Sequence, residues 1–206
     1  MPVIVIANPK GGVGKSSLSS NIAGYWAAQG HAVMLGDIDP QQSTALWLGL
    51  RPPELPRIQG WDIDGDMVAK PPKGITHVVL DTPAGLSGKR LDAAMKIADR
   101  VLIPLQASVF DIYPTQAFVE KLKAHKRADK VRLAVVGNRV KDHTKATEHL
   151  QEFLNSLQLP CVGLLRDTQN YAHLAAHGLS LWDVPPTKVD KDLAQWASLT
   201  QWLDGA

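Results

Sequence analysis

The sequence has little of several features that define whole classes of protein. A single cysteine, Cys161, occurs in 206 residues, which excludes an internal disulfide framework and makes a cysteine-ligated metal cluster within one chain implausible. No apolar run approaches the ~20 residues that span a bilayer. No internal repeat is visible, and the net charge of only +2 does not by itself indicate a nucleic-acid partner. These absences predict a soluble, cytoplasmic protein.

The composition that remains is typical of a folded domain. Hydrophobic residues make up 45% of the chain and charged residues 20%, and 206 residues are enough to bury one substantial core. We therefore expect a single domain over residues 1–206. The apolar N-terminus runs into a glycine-rich turn and not into a cleavage site, so it predicts a buried strand and no secretory signal.

Short apolar runs alternate with helical patterns along the chain. The predicted strands are Val3–Ala7, His31–Leu35, Ile75–Leu80, Arg100–Leu105, Val131–Val136 and Cys161–Leu165. The predicted helices are Ser17–Gln29, Lys89–Ile97, Pro114–His125, Thr144–Leu157 and Asp190–Leu203. The alternation predicts an α/β fold with a doubly wound, mostly parallel sheet, helices on both faces, and ligands at the carboxyl ends of the strands. The proline-rich stretch Arg51–Gly74 is predicted to be an ordered loop anchored by Trp61.

The first predicted strand leads into a glycine-rich segment that is followed by a helix. This strand-loop-helix context is typical of a phosphate-binding loop, in which backbone N–H groups and the helix N-terminus face the phosphates. Lys15 would supply charge to the β- and γ-phosphates, and the Ser16 hydroxyl would bind Mg²⁺. The expected nucleotide-binding residues are Lys10, Gly11, Gly12, Val13, Gly14, Lys15, Ser16 and Ser17.

This loop departs from the ordinary pattern G-x-x-x-x-G-K-[ST], because Pro9 stands where the first glycine is required. It reads K-G-G-x-G-K-S, with Lys10 five residues before Lys15. That signature resembles the deviant-Walker ATPases, which include the ParA partition ATPases, MinD and the nitrogenase iron protein. The resemblance implies that Lys10 reaches the phosphates of a partner subunit across a nucleotide-sandwich homodimer. Cys161 alone cannot provide the cluster cysteines of a nitrogenase-like reductase.

Three aspartates follow predicted strands. Asp37 and Asp39 lie in the string D-x-D-P-Q, and Asp81 ends the apolar run Val78–Leu80. Each aspartate alone is equally compatible with a helix cap or a turn. In the family that the chain resembles, the matching residues imply that Asp39 orients the attacking water, Asp37 supports the Mg²⁺ region and Asp81 holds Mg²⁺.

Two later features bear on the nucleotide and on its partners. Asn138 follows a predicted strand, where its amide could pair with adenine or simply form a turn. Nine basic residues between positions 121 and 145 stand against Asp129 and Asp142, a local charge of +7 that leaves −5 for the rest of the chain. They are Lys121, Lys123, Lys126, Arg127, Lys130, Arg132, Arg139, Lys141 and Lys145. Such clustering suits DNA phosphates, although a solvated helix face is an equal alternative.

The phosphate loop begins near residue 9, so we expect no DNA-reading segment ahead of it. The chain most resembles the short ParF-like partition ATPases and their cargo-positioning relatives. The resemblance implies weak ATP hydrolysis, dimerisation on ATP, non-specific binding to nucleoid DNA, and stimulation by a ParB- or ParG-like protein or a cargo adaptor. A MinD-like membrane cycle is disfavoured because Asp190, Asp192 and Asp204 outnumber Lys191 in the last predicted helix. A nucleotide switch with little hydrolysis stays open.

Overall fold

The structure is a computed structural model that describes residues 1–61 and 71–205, with the side chains of residues 109–111 left out. Within these ranges, none of the helices has the length and apolar character needed to cross a bilayer.

Seven parallel strands form one sheet in the order β3-β2-β4-β1-β5-β6-β7. The strands are β1 Val3–Ile6, β2 Val33–Asp37, β3 Ile58–Trp61, β4 His77–Asp81, β5 Arg100–Leu105, β6 Arg132–Val140 and β7 Cys161–Arg166. The chain leaves β1 towards one edge of the sheet and later returns to its other side through β5. This reversal creates a crevice at the carboxyl end of β1, where open α/β sheets bind their ligands.

Helices cover both faces of the sheet. They are α1 Lys15–Ala28, α2 Ser43–Leu50, α3 Gly88–Ile97, α4 Val109–Lys123, α5 Lys145–Ser156, α6 Gln169–Ala175 and α7 Asp190–Asp204. Alternation along β1 illustrates the two layers: Val3 and Val5 pack with α3, α4 and α5, whereas Ile4 and Ile6 pack with α1 and α7. The predicted doubly wound α/β fold is confirmed.

All six predicted strands are present, but two details of the sheet differ. The stretch predicted as a loop contains β3 (Ile58–Trp61), which pairs with β2 through the register Val33↔Ile58. Trp61 is buried, as an anchor would be, while residues 62–70 of that stretch lie outside the described residues. Strand β6 continues four residues beyond the predicted end at Val136 through an irregularity in its pairing with β7.

Helix α4 begins five residues before its predicted start and contains Pro114 in its interior. Pro114 is the sixth residue of the helix and lies beyond the four amides that have no intrahelical partner, so it removes one intrahelical bond. The prediction wrongly placed this proline at the first helical position.

The apolar stripe of α7 faces the protein. Trp196 and Leu199 are fully buried, and the buried carboxylate of Asp192 accepts hydrogen bonds from Arg166 at 2.6 Å and from Asn170 at 2.6 Å. These contacts dock the helix on the rest of the protein, and they place its apolar side chains in the core that also contains α1.

A histidine at the start of β4 makes stability depend on pH. Burial, together with the charges of His31 and the N-terminal amine, lowers the pKa of His77 to about 4. In the unfolded chain, His77 binds a proton near the ordinary histidine pKa of ~6.5. In the folded chain it does so only near pH 4. His77 therefore contributes to the stability of the folded state above pH ~6.5, and this contribution is lost as the pH falls from about 6.5 to about 4.

We expect the substitution His77→Gln to flatten the fall of the melting temperature over this pH range. Thermal unfolding of the two proteins, scanned from pH 4 to pH 7, measures the difference between their slopes. His149→Gln, at an exposed position on α5, is the matched control and should keep the parent slope. Equal slopes for His77→Gln and the parent would contradict the assignment.

Candidate nucleotide-binding site

The glycine-rich loop leaves the carboxyl end of β1 and turns into α1. Gly12 has φ 75° and Gly14 has φ 92°, a left-handed backbone that side-chain-bearing residues rarely adopt. The first intrahelical bond runs from the Leu18 amide to the Gly14 carbonyl. The amides of Lys15, Ser16 and Ser17 therefore precede the helical bonds and point out of the helix N-terminus, where an anion is favoured.

A buried asparagine fixes the start of this loop. Asn8 is fully buried; its Nδ2 donates to the Pro104 carbonyl at 2.8 Å and to Thr115 Oγ1 at 3.2 Å, and its Oδ1 accepts from the Lys10 amide at 2.8 Å. The bonds connect the loop to the end of β5 and to α4. Sequence reasoning missed Asn8, although its position directly after a buried strand and before the glycines was a usable signal.

Lys15 lies inside the loop. Its side chain is largely buried, and Nζ donates to the Lys10 carbonyl at 3.0 Å. Burial lowers the pKa of Lys15, while the carboxylates of Asp81 and Asp39 act in the opposite direction. A buried ammonium with a single carbonyl acceptor among the described residues is poorly compensated, and phosphate oxygens would supply the missing negative charge.

Asp81 ends β4 next to β1 and β2, with Cα partners Ile6 and Asp37. It is fully buried, its Oδ1 accepts from the Thr82 amide at 3.1 Å, and its Oδ2 has no hydrogen-bond partner among the described residues. Burial raises the pKa of Asp81 to about 7, and the nearby hydroxyls of Ser16 and Ser19 partly offset the rise. A buried carboxylate oxygen without a partner, close to a serine hydroxyl, fits a Mg²⁺ ion with its water shell.

No group of three or more His, Cys, Asp or Glu side chains suited to a metal occurs in residues 1–61 and 71–205. This is compatible with Mg²⁺, which is bound in nucleotide sites through one or two protein oxygens together with phosphates and waters.

Asp37 ends β2 and is committed to the start of α2. Its Oδ2 accepts from the Thr44 amide at 2.9 Å, the Thr44 hydroxyl at 2.8 Å and the Ala45 amide at 3.2 Å, and its Oδ1 accepts from the Asp39 amide at 2.9 Å. The carboxylate thus caps a helix N-terminus and shapes the turn that contains Asp39. Its predicted support of the Mg²⁺ region stays a prediction.

Asp39 is half-buried and lines an open cleft of about 510 Å³. The opposite wall consists of Pro83–Ser87, the turn that follows β4, together with Arg90. The Gly85 amide donates to the Pro9 carbonyl at 3.0 Å, so this turn is bonded directly to the phosphate loop at the residue that departs from the ordinary motif. The Asp39 carboxylate and the turn after β4 therefore both line the mouth of the site.

Asn138 lies behind the phosphate loop. Its side chain is buried, and Nδ2 donates to the Val13 carbonyl at 2.8 Å. Gln106, which follows β5 and was not predicted as a site residue, donates from Nε2 to the Gly12 carbonyl at 2.6 Å. The structure therefore brings the predicted residues Lys15, Asp81, Asp39 and Asn138 around one loop, at one edge of the sheet.

The segment that follows α6 packs on α1 and α2. Arg51, at the end of α2, forms an ion pair of 2.8 Å with the buried carboxylate of Asp183, which also accepts from the Ser180 hydroxyl at 2.6 Å. The Leu181 amide donates to Asn21 Oδ1 at 3.0 Å. These bonds have a structural role; the segment contributes no charged group to the loop itself among these contacts.

The basic segment is divided by the fold. Lys121, Lys126 and Lys130 are exposed at the amino edge of the sheet, whereas Lys141 and Lys145 are exposed at the carboxyl edge, beyond β6. A strand as long as β6 separates its ends by roughly 25 Å. A run of charge that is continuous in sequence thus becomes two groups, which corrects the expectation of one concentrated patch.

Comparison with known proteins identifies the family. Residues 4–181 match the CobQ/CobB/MinD/ParA nucleotide binding domain. The chain belongs to this family. The match spans both the glycine-rich loop and the three aspartates, so the predicted resemblance to ParA and MinD is confirmed at the family level, while the ParF-like subtype stays a prediction.

Curated relatives include partition and positioning proteins. The chain is 28% identical to the chromosome-partitioning ATPase Soj of Thermus thermophilus over 166 residues, 65% of this chain and 66% of that protein. It is 26% identical to the maintenance of carboxysome distribution protein A of Halothiobacillus neapolitanus over 190 residues, 88% of this chain and 87% of that protein. Against protein ParA of Rhizobium radiobacter, the identity is 30%, over 54% of this chain and 51% of that protein.

Solved structures share the fold. MinD of Aquifex aeolicus superposes with a TM-score of 0.77 at 19% identity, covering 100% of this chain and 98% of that chain. A plasmid partition protein of Borrelia burgdorferi bound to AMPPNP gives 0.72 at 17% identity, covering 98% of this chain and 99% of that one. Cyanothece McdA in complex with ATP gives 0.71 at 16% identity, covering 97% and 96%.

Proposed function

We propose that this chain binds and hydrolyses Mg-ATP, dimerises around the nucleotide, and uses non-specific DNA binding to segregate DNA or to position another cargo. The observation that carries the proposal is the juxtaposition, at one phosphate loop, of the buried ammonium of Lys15 and a buried carboxylate oxygen of Asp81 that has no hydrogen-bond partner in the described part of the chain. A charged ammonium and a charged carboxylate are both costly to bury, and a Mg-triphosphate would compensate both charges together.

The role that we propose for each site residue follows from its position in the site. The amides at the start of α1 and Lys15 bind the phosphates, and Ser16 with Asp81 holds Mg²⁺, in part through water. A bound Mg²⁺ would neutralise the negative charge that develops on the phosphate oxygens during transfer. Asp39, across the cleft from the turn after β4, orients the water that attacks the γ-phosphate. Asp37 holds the turn in which Asp39 lies.

A simple test of the activity is phosphate release by the purified chain with Mg-ATP, with and without duplex DNA. Release that is slow alone and faster with DNA or with a cognate adaptor supports a partner-stimulated ATPase. Tight binding of ATP with no release under any of these conditions would favour the alternative of a nucleotide switch.

A MinD-like membrane cycle is the weaker alternative. The apolar residues of α7 are occupied in the core, and its exposed acidic residues Asp190 and Asp204 give anionic lipid little attraction. Sedimentation with anionic vesicles in the presence of Mg-ATP should leave the protein in solution.

DNA binding is assigned to the amino-edge basic group, defined as Lys121, Lys126 and Lys130. In the proposed sandwich dimer the carboxyl edge of the sheet faces the partner subunit, whereas the amino edge stays accessible. The amino-edge group is exposed at the end of α4 and in the turn before β6. Lys123 is less available, because its Nζ donates to the Leu157 carbonyl at 3.0 Å.

We expect the double substitution Lys121→Gln, Lys126→Gln to weaken the binding of unrelated duplexes alike and to reduce the salt dependence of binding. Each phosphate contact contributes a slope of about −0.9 in log affinity against log salt, so two lost contacts should reduce the slope by about 1.8. Fluorescence anisotropy with two labelled duplexes, titrated at several salt concentrations with Mg-ATP, measures both quantities.

The matched control is Lys141→Gln, Lys145→Gln, which removes the same charge from the carboxyl edge and should keep most of the slope. If neither double variant changes DNA binding, both groups are solvated surface. If the control loses more affinity than the amino-edge variant, the DNA-binding face has been assigned to the wrong edge of the sheet.

A further inference from the structure

The peptide group between Pro9 and Lys10 is bonded on both sides. Its N–H, which belongs to Lys10, donates to Asn8 Oδ1 at 2.8 Å. Its C=O, which belongs to Pro9, accepts from the Gly85 amide at 3.0 Å. In a trans peptide these two groups lie in one plane and point in opposite directions. Asn8 and Gly85 therefore hold the peptide plane from two sides, and it cannot rotate without breaking one of the two bonds.

The backbone on either side of this peptide is restricted as well. The ring of Pro9 holds its φ at about −65°. In the next peptide, the Lys10 carbonyl accepts from Lys15 Nζ at 3.0 Å. The entry to the phosphate loop is thus a rigid segment, which sets the backbone of Lys10 and supplies an acceptor for the Lys15 ammonium.

Asn8 is itself held by two other elements of the fold. Its Nδ2 donates to the Pro104 carbonyl in β5 at 2.8 Å and to Thr115 Oγ1 in α4 at 3.2 Å. Asn8 and Thr115 are both fully buried, so water cannot replace a bond that is lost. A buried polar group without its partner is costly, and the orientation of the Asn8 carboxamide is therefore fixed by these acceptors.

Thr115 is unusual among its neighbours in α4. The other side chains of this helix that the structure describes as buried are apolar, namely Phe118, Val119 and Leu122. A hydroxyl among them needs a partner, and Asn8 supplies it. The bond explains why a polar residue occupies this buried helical position.

We propose that Asn8 is a positioning residue of the phosphate loop, which with Thr115 as its anchor keeps the Pro9–Lys10 peptide oriented for a nucleoside triphosphate. Both side chains act through the loop, because neither is exposed. The inference rests on the proposed function only in requiring that the loop bind a triphosphate. It adds to the site a residue of α4 that is 107 positions from Asn8 in sequence.

We expect Asn8→Ala to weaken the binding of Mg-ATP about tenfold, because binding must then order a backbone segment that the parent chain already holds in place. Mg-tripolyphosphate, which has no base, should lose the same factor. Thr115→Val keeps the shape of the side chain without its hydroxyl, and the loss of one bond should weaken both ligands about threefold. Thr115→Ser keeps the hydroxyl and should bind both ligands as the parent does. Calorimetry measures the dissociation constants.

A double-mutant cycle tests whether Thr115 acts through Asn8. In the Asn8→Ala background, Thr115→Val should cause no further loss of ATP affinity, because the bond that it would break is already absent. Thr147→Val is the matched control for stability. Thr147 is also a buried threonine in a helix, but its hydroxyl donates to the Lys141 carbonyl at 2.8 Å, outside the loop. This control should lower the melting temperature and keep the parental affinity for ATP.

The proposal is overturned if Asn8→Ala and Thr115→Val lower only the melting temperature, as the control does, or if Thr115→Ser binds ATP as weakly as Thr115→Val. It is also overturned if Thr115→Val causes its full loss of affinity in the Asn8→Ala background. Should Asn8→Ala fold poorly, the comparison of Thr115→Val with Thr115→Ser decides. Failure of the parent chain to bind Mg-ATP at all would instead refute the proposed function.

Discussion

We expect Asp39→Ala to lower the rate of ATP hydrolysis by about a hundredfold to ten-thousandfold, the range for losing a group that orients or deprotonates the nucleophile. ATP binding should stay within a few-fold of the parent. The reason is positional: Asp39 lines the cleft at the mouth of the site, whereas Lys15 and the start of α1 form the phosphate-binding surface.

The geometry leaves Asp39 available for this role and holds it firmly. Its Oδ1 accepts from the Gln41 amide at 2.9 Å, its carbonyl accepts from the Gln42 side chain at 2.9 Å, and its amide is bonded to Asp37. Loss of the carboxylate should therefore remove a positioned acceptor without releasing Lys15 or the phosphate loop. A variant that binds ATP but cannot hydrolyse it should accumulate as the dimer.

Single-turnover phosphate release and equilibrium binding of ATP, measured on the same preparation, test this expectation. Asp142→Ala, in the exposed segment after β6, is the control and should hydrolyse ATP as the parent does. Asp81→Ala provides a contrast, because it should lose the Mg²⁺-dependent part of ATP binding itself. Normal turnover by Asp39→Ala would remove this residue from the mechanism.

The layout of the sheet could be predicted because its strands are continuous apolar runs. Each central strand is buried on both faces, so runs such as Val78–Leu80 carry a signal that does not depend on tertiary context. Strand β3 could not be found this way: only Ile58 and Trp61 of its four residues are buried, a pattern with too few apolar positions to predict a strand.

Helix α2 was missed for a different reason. It is preceded by Gln42 with φ 50°, and none of its own residues forms a side-chain cap. The cap is supplied by Asp37, seven residues before Thr44 and at the end of a strand. A capping interaction over this distance depends on the fold and has no local sequence signature.

The site residues also divide into those that lie in a local sequence motif and those that act through contacts distant in sequence. The loop and the three aspartates are local motifs, and the structure places each at the carboxyl end of its strand. Asn8 and Gln106, by contrast, act through bonds to residues about 100 positions away in sequence, such as Asn8 to Pro104 and Gln106 to Gly12. Their roles emerge only when the neighbouring strands are known.

Lys10→Ala should abolish ATP-dependent dimerisation while retaining most of the affinity for ATP. Within one subunit the loop already contains Lys15, whose Nζ lies 3.0 Å from the Lys10 carbonyl. The backbone of Lys10 is thus part of the site, since its amide also bonds Asn8. The substitution preserves both backbone contacts and removes the side-chain charge.

If the Lys10 ammonium reaches the phosphates of the partner subunit, two-fold symmetry places two such contacts in each dimer. Removing one member of a buried charge pair at an interface costs about 2 kcal/mol or more, so the loss of both should weaken dimerisation by about a thousandfold. ATP would then no longer link the subunits, and DNA binding that requires the dimer should fall with it.

Light scattering with Mg-ATP, together with ATP binding and DNA anisotropy on the same samples, measures these effects. Lys89→Ala, which removes an exposed lysine at the start of α3, should dimerise as the parent does. Lys15→Ala should lose the nucleotide itself and remain a monomer for that reason. A Lys10→Ala protein that dimerises with ATP and hydrolyses it at the parental rate would mean that the early lysine does not act across the dimer, and the chain would then operate as a conventional monomeric nucleotide switch.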